Sequence, residues 1–477
     1  MSDSPVPHLT DFVDSENSRD FTKPHSCEEN DKIEPKIEEN LLVTMSRRYT
    51  DRIVGERENI QLLICAVVSR SLPNDCRISV LLLNRYGSGK SHLLNTILEP
   101  IDDSGDVLHF TQFTEAYLKR SHELADVNGK ILKIEQLERK DENGQIFISN
   151  LKHLITEGRL TFGVVDRDEK GKQNAGKLDV RGKPVILTTS TNPNINPEDE
   201  SRFIIVELDE SDEQTKQILM HKAKLVSKIN PHSLWGNSKS KLNSDFEELK
   251  RVARHVEQIV VPFWDKVVEN ISINLQLRRD LDKLLRITQV IAFINYKNRV
   301  HLIKKTPEKL LNDNFGGTQD FYKSIIIASV EDFTKAVEIA GKAISQTINS
   351  TTQKTMNIVN AVKSLSMGSL DGVTLNNLEE MLQIPRNTIR DHLKIAENNG
   401  FVLRNTESKD HRWTPTEKKH LGIETNIEFS DSELKKWLDE NCTDSYQIET
   451  SYLNKKQLCI VPEKLQNSSR SEFREDS

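Results

Sequence analysis

The segment that most limits what this chain can become is RISVLLLN (77–84), which runs straight into RYGSGKS (85–91) and then HLLNTIL (92–98). An apolar run with a β-branched start is a buried strand, and the apolar spacing after the turn is helical. Strand, glycine turn and helix in that order make an α/β unit. A turn of this composition aims its backbone N–H groups inward at a helix N-terminus, where an anion is favoured. A nucleoside triphosphate needs such parts. Gly87, Ser88 and Gly89 let the backbone approach, Lys90 meets the terminal phosphates, and the Ser91 hydroxyl serves Mg2+. The strict pattern G-x-x-x-x-G-K-[ST] is not met, because Asn84 stands at its first glycine. Asn is the non-glycine residue most ready to take φ > 0, so Asn84 is expected to serve in that place.

Further strand candidates are DVLHFTQF (106–113), KILKIEQL (130–137), PVILTTST (184–191) and SRFIIVELD (201–209), with helical spacers between several of them. Repeated alternation predicts a mostly parallel sheet. A phosphate loop of this kind also needs an acid at the tip of a neighbouring strand, to hold magnesium and to polarise the attacking water. KILKIEQLE is the apolar strand that ends in acids at a suitable distance. Glu135 and Glu138 are therefore the candidates for these roles, Glu135 with Ser91 on the metal side. The usual Asp-Glu pair is absent, since Gln136 follows Glu135.

Of 477 residues, 66 are Lys or Arg and 73 are Asp or Glu. Residues 1–40 carry 11 acids against 4 bases, so the other 437 residues hold 62 of each sign and the whole net charge of −7 lies in the arm. A balanced body cannot coat nucleic acid by bulk charge, and any such binding must come from local basic stripes. No apolar run approaches the roughly 18 residues that span a bilayer, and no basic start with an apolar stretch opens the chain. No membrane association is expected. The five cysteines are far apart without a Cys-x-x-Cys, and no histidine pairs with them at zinc spacing, which fits reduced thiols in a cytoplasmic, intracellular protein.

Composition and periodicity divide the chain. Residues 1–40 form an acidic arm too polar to fold. Residues 41–215 form the α/β core. Residues 216–350 carry long helical periodicity, as in DFEELKRVARHVEQIVVPFWDKVVENI and SVEDFTKAVEIAGKAI. Residues 357–420 form a compact unit, and 421–477 a polar extension with a disordered end.

The ordered motifs from about Arg52 to Val300 resemble the AAA+ ATPases, in particular the minichromosome-maintenance-like helicases and the related archaeal, plasmid and phage replication modules. PVILTTSTNP is similar to the strand that delivers the sensor 1 residue to the γ-phosphate, here Thr191 or Asn192. PEDESRFIIVELDES resembles the segment whose arginine acts as a finger on the neighbouring subunit's nucleotide, which falls on Arg202. LQLRRDLDKLLRITQVIAF looks like the lid helix with the sensor 2 arginine, which falls on Arg279. The resemblance implies ATP and Mg2+ as ligands, a homo-hexameric ring, DNA as substrate and other replication proteins as possible partners. Asn84 and Gln136 depart from the family pattern and bear on hydrolysis more than on ATP binding.

Between the acid strand and sensor 1, LTFGVVDRDEKGKQNAGKLDVRGKPV reads as strand, glycine-containing tip and strand. Lys170, Lys172 and Lys177 are placed at that tip, as phosphate contacts require. An insertion here resembles the hairpin that the family projects into its pore to grip DNA. Near the end, VTLNNLEEMLQIPRNTIRDHLKIAENNGFVLRNTESKDHRWTP looks like a winged helix. Arg386, Arg390 and Lys394 make one stripe on its second helix, opposite Ile389, Leu393 and Ala396, and Arg404, Lys409 and Arg412 mark the wing. The function implied is an ATP-driven ring that translocates on or unwinds DNA in replication. An ATP-switched DNA-binding initiator or regulator without unwinding stands as the alternative. A chaperone-type remodeller is weaker, for want of an aromatic pore loop.

Overall fold

The computed structural model describes residues 40–111, 124–135, 142–167, 173–191, 202–227, 229, 233–270, 277–304, 323–348, 353–366, 372–405, 411–416, 426–442 and 446–449. The acidic arm, apart from Asn40, lies outside them. Five strands form the first sheet: β1 (Val80–Leu83), β2 (Val107–Phe110), β3 (Ile131–Ile134), β6 (Val185–Ser190) and β7 (Ile204–Val206). Between β3 and β6 in sequence, β4 (Arg159–Arg167) and β5 (Gln173–Arg181) pair with each other as a separate antiparallel hairpin. The sheet order is β2-β3-β6-β1-β7 and every neighbouring pair is parallel. This is the parallel α/β sheet expected from the alternation, and β1, β3 and β6 are buried along their length.

Helices α1 (Leu41–Arg48), α2 (Arg57–Ser69), α3 (Lys90–Leu98) and α4 (Glu142–Glu157) accompany the sheet. In α2 every residue from Ile60 to Ser69 is buried, which is why NIQLLICAVVS is apolar all round rather than striped. The charged residue within these three buried strands is Lys133, whose Nζ reaches Asn95 Oδ1 on α3 at 2.5 Å.

The second unit departs from the all-helical expectation for 216–350. It holds α5 (Asp212–Val226), α6 (Ser233–Ala253), α7 (Trp264–Glu269), α8 (Leu277–Ile294) and α9 (Val330–Ile348), but also β8 (Val256–Val260), β9 (Val300–Lys304) and β10 (Ser324–Ile327). The helix that ends in DFEELKRVA stops at Ala253. VEQIV then takes extended backbone, as its β-branched residues favour, with Val256 and Ile259 buried and Glu257 and Gln258 exposed. Helix α8 packs on α9 through Leu284, Ile287 and Ile291 against Phe333, Ala336 and Ala340, all within the main core. A buried ion pair fixes the entry to α9. Arg299 Nε and Nη2 meet Asp332 Oδ2 and Oδ1 at 2.7 and 2.6 Å, and Ser329 donates its N–H and hydroxyl to Asp332 Oδ2.

The third unit contains α10 (Gln353–Ser366), β11 (Val373–Thr374), α11 (Leu375–Leu382), α12 (Arg386–Asn398), β12 (Val402–Asn405) and β13 (Arg412–Pro415). Its sheet runs β11-β13-β12, antiparallel throughout. The core joins Ile358, Val362, Leu378, Ile389, Leu393 and Trp413. The polar extension expected over 421–477 is folded in part. Helix α13 (Asp431–Asn441) is capped by Ser430 and Glu433 and buries Leu438 against Val300, Leu302, Ile325 and Ile327. Strand β14 (Tyr446–Glu449) pairs with β9, so the second sheet has the order β14-β9-β10-β8.

Among the described residues, Cys65, Cys76 and Cys442 are buried and form no disulfide, no cluster of His, Cys, Asp and Glu could hold a metal ion, and no helix is long and apolar enough to cross a membrane.

Asp332→Ala leaves Arg299 as a buried charge without its bidentate partner. We expect a loss of about 3–5 kcal/mol in urea unfolding. A loss below about 1 kcal/mol would show that the pair does not organise the α8–α9 junction.

Candidate phosphate-binding site

In a parallel sheet every strand leaves by the same edge, and the loops that follow are brought together there. The registers Leu83↔Ser190 and Ile134↔Thr188 bring Asn84, Thr191 and Glu135 out side by side, with β6 between β1 and β3. Backbone and hydroxyl bonds fasten these ends. Asn84 N donates to Ser190 O at 3.3 Å, Glu135 N to Phe110 O at 3.0 Å, and Thr189 Oγ1 to Glu135 O. Three of the sequence-derived positions are thus neighbours at one edge although they span more than a hundred residues.

The loop has the backbone that its glycines allow. Gly87 and Gly89 stand at φ +83° and +94°, with open space where a side chain would project. Gly89 caps α3, so the helix N-terminus opens at Lys90 and Ser91. Lys90 is only 8 % exposed and folds under the loop. Its Nζ donates to Asn84 O and Arg85 O, each at 2.7 Å, and lies 3.4 Å from Ser88 Oγ. Burial pushes this ammonium below its ordinary pKa, and Glu210 opposes the shift.

Asn84 corrects the expectation placed on it. Among the described residues the non-glycines with positive φ are Glu56 and Gln383, not Asn84. Instead its side chain splints the loop to the segment after β7. Nδ2 donates to Leu208 O at 3.1 Å and to Glu210 Oε1 at 3.0 Å, and Oδ1 accepts from Leu208 N at 2.6 Å. Glu210 Oε1 also accepts the Arg85 N–H at 3.0 Å. Partial burial raises the Glu210 pKa, but Asn84, the Arg85 N–H and Lys354 outweigh it and hold the carboxyl down at about 2. Sequence reasoning missed Glu210, because an acid in VELDES reads as ordinary strand-end surface.

It also missed a cavity of about 420 Å³ between the segment Thr50–Gly55 and α5, with Ile53, Val54, Met220 and His221 in its wall. Gln214 ties the two sides together, its Nε2 donating to Val54 O at 2.6 Å. Helix α5 buries only Gln214, so Met220 and Lys224 remain available at the cavity's rim.

The remaining candidates are spread more widely. Glu135 is exposed at the sheet edge, with Lys133 Nζ 3.7 Å from its carboxylate. Glu138, Gln136, Asn192, Lys170, Lys172 and Lys409 lie outside the described residues. Arg202 precedes β7 and so sits at the opposite, amino edge of the sheet. It donates to Lys152 O at 3.1 Å and to Thr156 Oγ1, at the end of α4. Arg279 is exposed in the first turn of α8, next to buried Asp280, which pairs with Lys283 at 2.9 Å. Lys177 is not at the hairpin tip as expected. It stands opposite Gly163, four rungs back from Arg167↔Gln173, roughly 13 Å along the ribbon. On α12, Arg386, Arg390 and Lys394 are exposed, opposite buried Ile389, Leu393 and Ala396. Arg404 lies 6.0 Å over the Trp413 ring, and Arg412 is half-buried.

Asn84→Gly restores the consensus glycine yet removes three hydrogen bonds to Leu208 and Glu210. At about 1 kcal/mol net for each bond lost, we expect affinity for a fluorescent ATP analogue to fall about tenfold or more. Equal or tighter binding would show that the splint is irrelevant to the loop.

Residues 26–233 match the family described as the MTBMA_p00010 P-loop domain. No curated protein matches the chain. Among solved structures the chain is similar to a full-length MCM homologue from Methanopyrus kandleri, with 15 % identity, 63 % of this chain and 57 % of that chain covered, and a TM-score of 0.36. It is also similar to the Thermotoga maritima RuvB Holliday junction branch migration motor, with 13 % identity, 76 % and 92 % coverage, and a TM-score of 0.25. The match to the MCM homologue spans little more than half of that protein's length. The glycine loop at the end of β1, the five-stranded parallel sheet and the match over residues 26–233 together give the first half of this chain an α/β fold of the P-loop type.

Proposed function

We propose that this chain hydrolyses ATP as one subunit of a homo-hexameric ring that translocates on or unwinds DNA in replication. The observation that carries the proposal is the loop from Asn84 to Ser91. Its glycines are already left-handed, its helix N-terminus is open, and its lysine is desolvated against carbonyl oxygens. A phosphate oxygen bears more charge than a carbonyl, so an entering triphosphate is a better partner for Lys90 than Asn84 O and Arg85 O. The cavity beside Ile53, Val54 and Met220 joins these apolar side chains to polar Gln217 and His221 and has room for a nucleobase.

Mg2+ held by Ser91 and by way of Glu135 would neutralise charge on the phosphates. The chain's own groups take the remaining roles. Glu135, with Glu138, orients the attacking water and receives its proton. Thr191 or Asn192 donates to the γ-phosphate, and Arg279 couples the second unit to the site. Arg202 serves a neighbour's site, a reading supported by its place at the sheet edge opposite its own phosphate loop. To do so it exchanges its bonds to Lys152 O and Thr156 for the transition-state charge.

Two surfaces suit DNA. The hairpin of β4 and β5, with Lys170, Lys172 and Lys177, serves as the pore element. Helices α11 and α12 with β12 and β13 make a winged helix, whose stripe of Arg386, Arg390 and Lys394 faces solvent as groove entry requires. One observation favours the alternative of an ATP-switched initiator that unwinds nothing. Lys133 Nζ stands 3.7 Å from the Glu135 carboxylate, a fixed cation beside the acid proposed to orient water, and Gln136 offers no second acid.

The ATPase rate with and without single-stranded DNA separates the two readings, strong stimulation belonging to the motor. Lys90→Ala should abolish nucleotide binding and leave the fold intact. Arg202→Ala should bind ATP normally and hydrolyse it about 10³-fold more slowly, because a finger acts on the transition state. Mixing the two variants should restore part of the activity, since some interfaces then join an intact loop to an intact arginine. Co-assembled mixtures no more active than either parent would remove the trans-acting finger.

Neutralising Lys170, Lys172 and Lys177 should reduce DNA-stimulated turnover and spare the basal rate, whereas neutralising Arg386, Arg390 and Lys394 should weaken duplex binding and flatten its salt dependence. A hairpin variant altered only in its basal rate would contradict the pore assignment.

A further inference from the structure

The carboxylate that clamps the phosphate loop has a second oxygen, and that oxygen faces another unit. Glu210 Oε1 holds Asn84 Nδ2 and the Arg85 N–H, while Oε2 meets Lys354 Nζ at 3.0 Å. Lys354 lies in the first turn of α10, and its neighbour Thr355 is fully buried. Thr355 Oγ1 and His392 Nδ1 are hydrogen-bonded at 2.9 Å, and His392 lies on α12 between Arg390 and Lys394 of the basic stripe. Burial first, then the charges of Lys354 and Arg85, hold this imidazole below its ordinary pKa, as expected of a ring close to both cations. A continuous path therefore runs from the backbone of the phosphate loop through one carboxylate to the basic helix. The two ends of the path belong to sites read as binding different ligands.

We propose that Glu210 is a positioning residue of the phosphate loop and that its pairing with Lys354 couples nucleotide occupancy of the loop to the helix that carries Arg386, Arg390 and Lys394. The inference rests on the reading of Asn84–Ser91 as a phosphate site. Lys90 bonds the carbonyls of the two residues whose other polar groups Glu210 holds. Any exchange of those carbonyls for phosphate oxygens therefore changes the load on the Glu210 clamp. Because Oε2 is committed to Lys354, the change reaches α10 and, through Thr355 and His392, α12. Coupling of this kind is reciprocal, so DNA on α12 changes ATP affinity by the same factor as ATP changes DNA affinity.

The test uses the full chain with Mg2+ and a non-hydrolysable ATP analogue, followed by amide hydrogen exchange in α3 and α12. In the unmodified protein the analogue should change exchange in both helices by about fivefold or more. Lys354→Met should keep the α3 response and the analogue affinity within about twofold, and lose the α12 response. Lys354→Arg should restore it, which a merely structural role for the side chain does not require. Glu210→Gln keeps an acceptor for Asn84 and Arg85 but cannot form the ion pair, and at a saturating concentration of the analogue it should lose the α12 response as Lys354→Met does, whatever its own effect on analogue affinity. A persistent α12 response in Lys354→Met and Glu210→Gln overturns the proposal. So does an α12 helix that ignores the analogue while α3 is protected. If α3 itself shows no protection and the analogue does not bind, the phosphate site fails, and the coupling falls with it for that separate reason.

Discussion

Every feature of the candidate site depends on the common direction of the five strands. Parallel pairing of β1 with β6 and of β6 with β3 means that the three chain segments carrying Asn84, Thr191 and Glu135 turn at the same edge. The opposite edge receives the segment before β7, and with it Arg202. An antiparallel arrangement of the same strands would have divided these residues between two faces of the domain. The sheet thus places the segments after β1, β3 and β6 at one edge and the segment that carries Arg202 at the other, before any side chain is considered.

Within that frame, the electrostatics of the loop are set by a lysine and a glutamate that never touch. Lys90 is desolvated and directed at carbonyl oxygens, which favours exchange for a better anion. Glu210 is held ionised by donors from Asn84, the Arg85 backbone and Lys354. The glutamate accepts from Asn84 Nδ2 and the Arg85 N–H, on the same two residues whose carbonyls Lys90 holds. Asn84 is the bridge between these two groups, since its carbonyl meets Lys90 and its side chain meets Glu210. A glycine at this position could do the first and not the second.

What the sequence made legible follows from how local each signal is. The loop Gly87–Ser91 was plain, because two glycines, a lysine and a serine between an apolar strand and an apolar-striped helix encode their own geometry within a few residues. The stripe on α12 was equally plain, its inward Ile389, Leu393 and Ala396 alternating with Arg386, Arg390 and Lys394 at helical spacing. Asn84 was placed for the wrong reason. Its identity suggested backbone freedom, whereas its partners lie 124 and 126 positions away and leave no trace in the local pattern. Glu210 was invisible for the same cause. Strand β8 was lost inside a helical reading because VEQIV, flanked by strong helix formers, is too short to declare a period of its own.

Strand β14 has a consequence for how the third unit can move. The chain leaves the second unit after α9, builds α10 through β13, and returns to bury Ile427 in the main core, set the tilted ring of Phe429 5.7 Å from that of Phe263 and add β14 to the edge of β9. The unit that bears the basic helix is therefore an insertion spliced into the second unit, anchored at both its entrance and its exit. A module hung from one linker swings through a wide cone, whereas one sewn in at two points has its travel reduced to tilting about the line that joins them. Removing the chain beyond 420 would not trim an appendage. It would strip an edge strand and a packed helix from the sheet of the second unit and turn a hinged plate into a pendant.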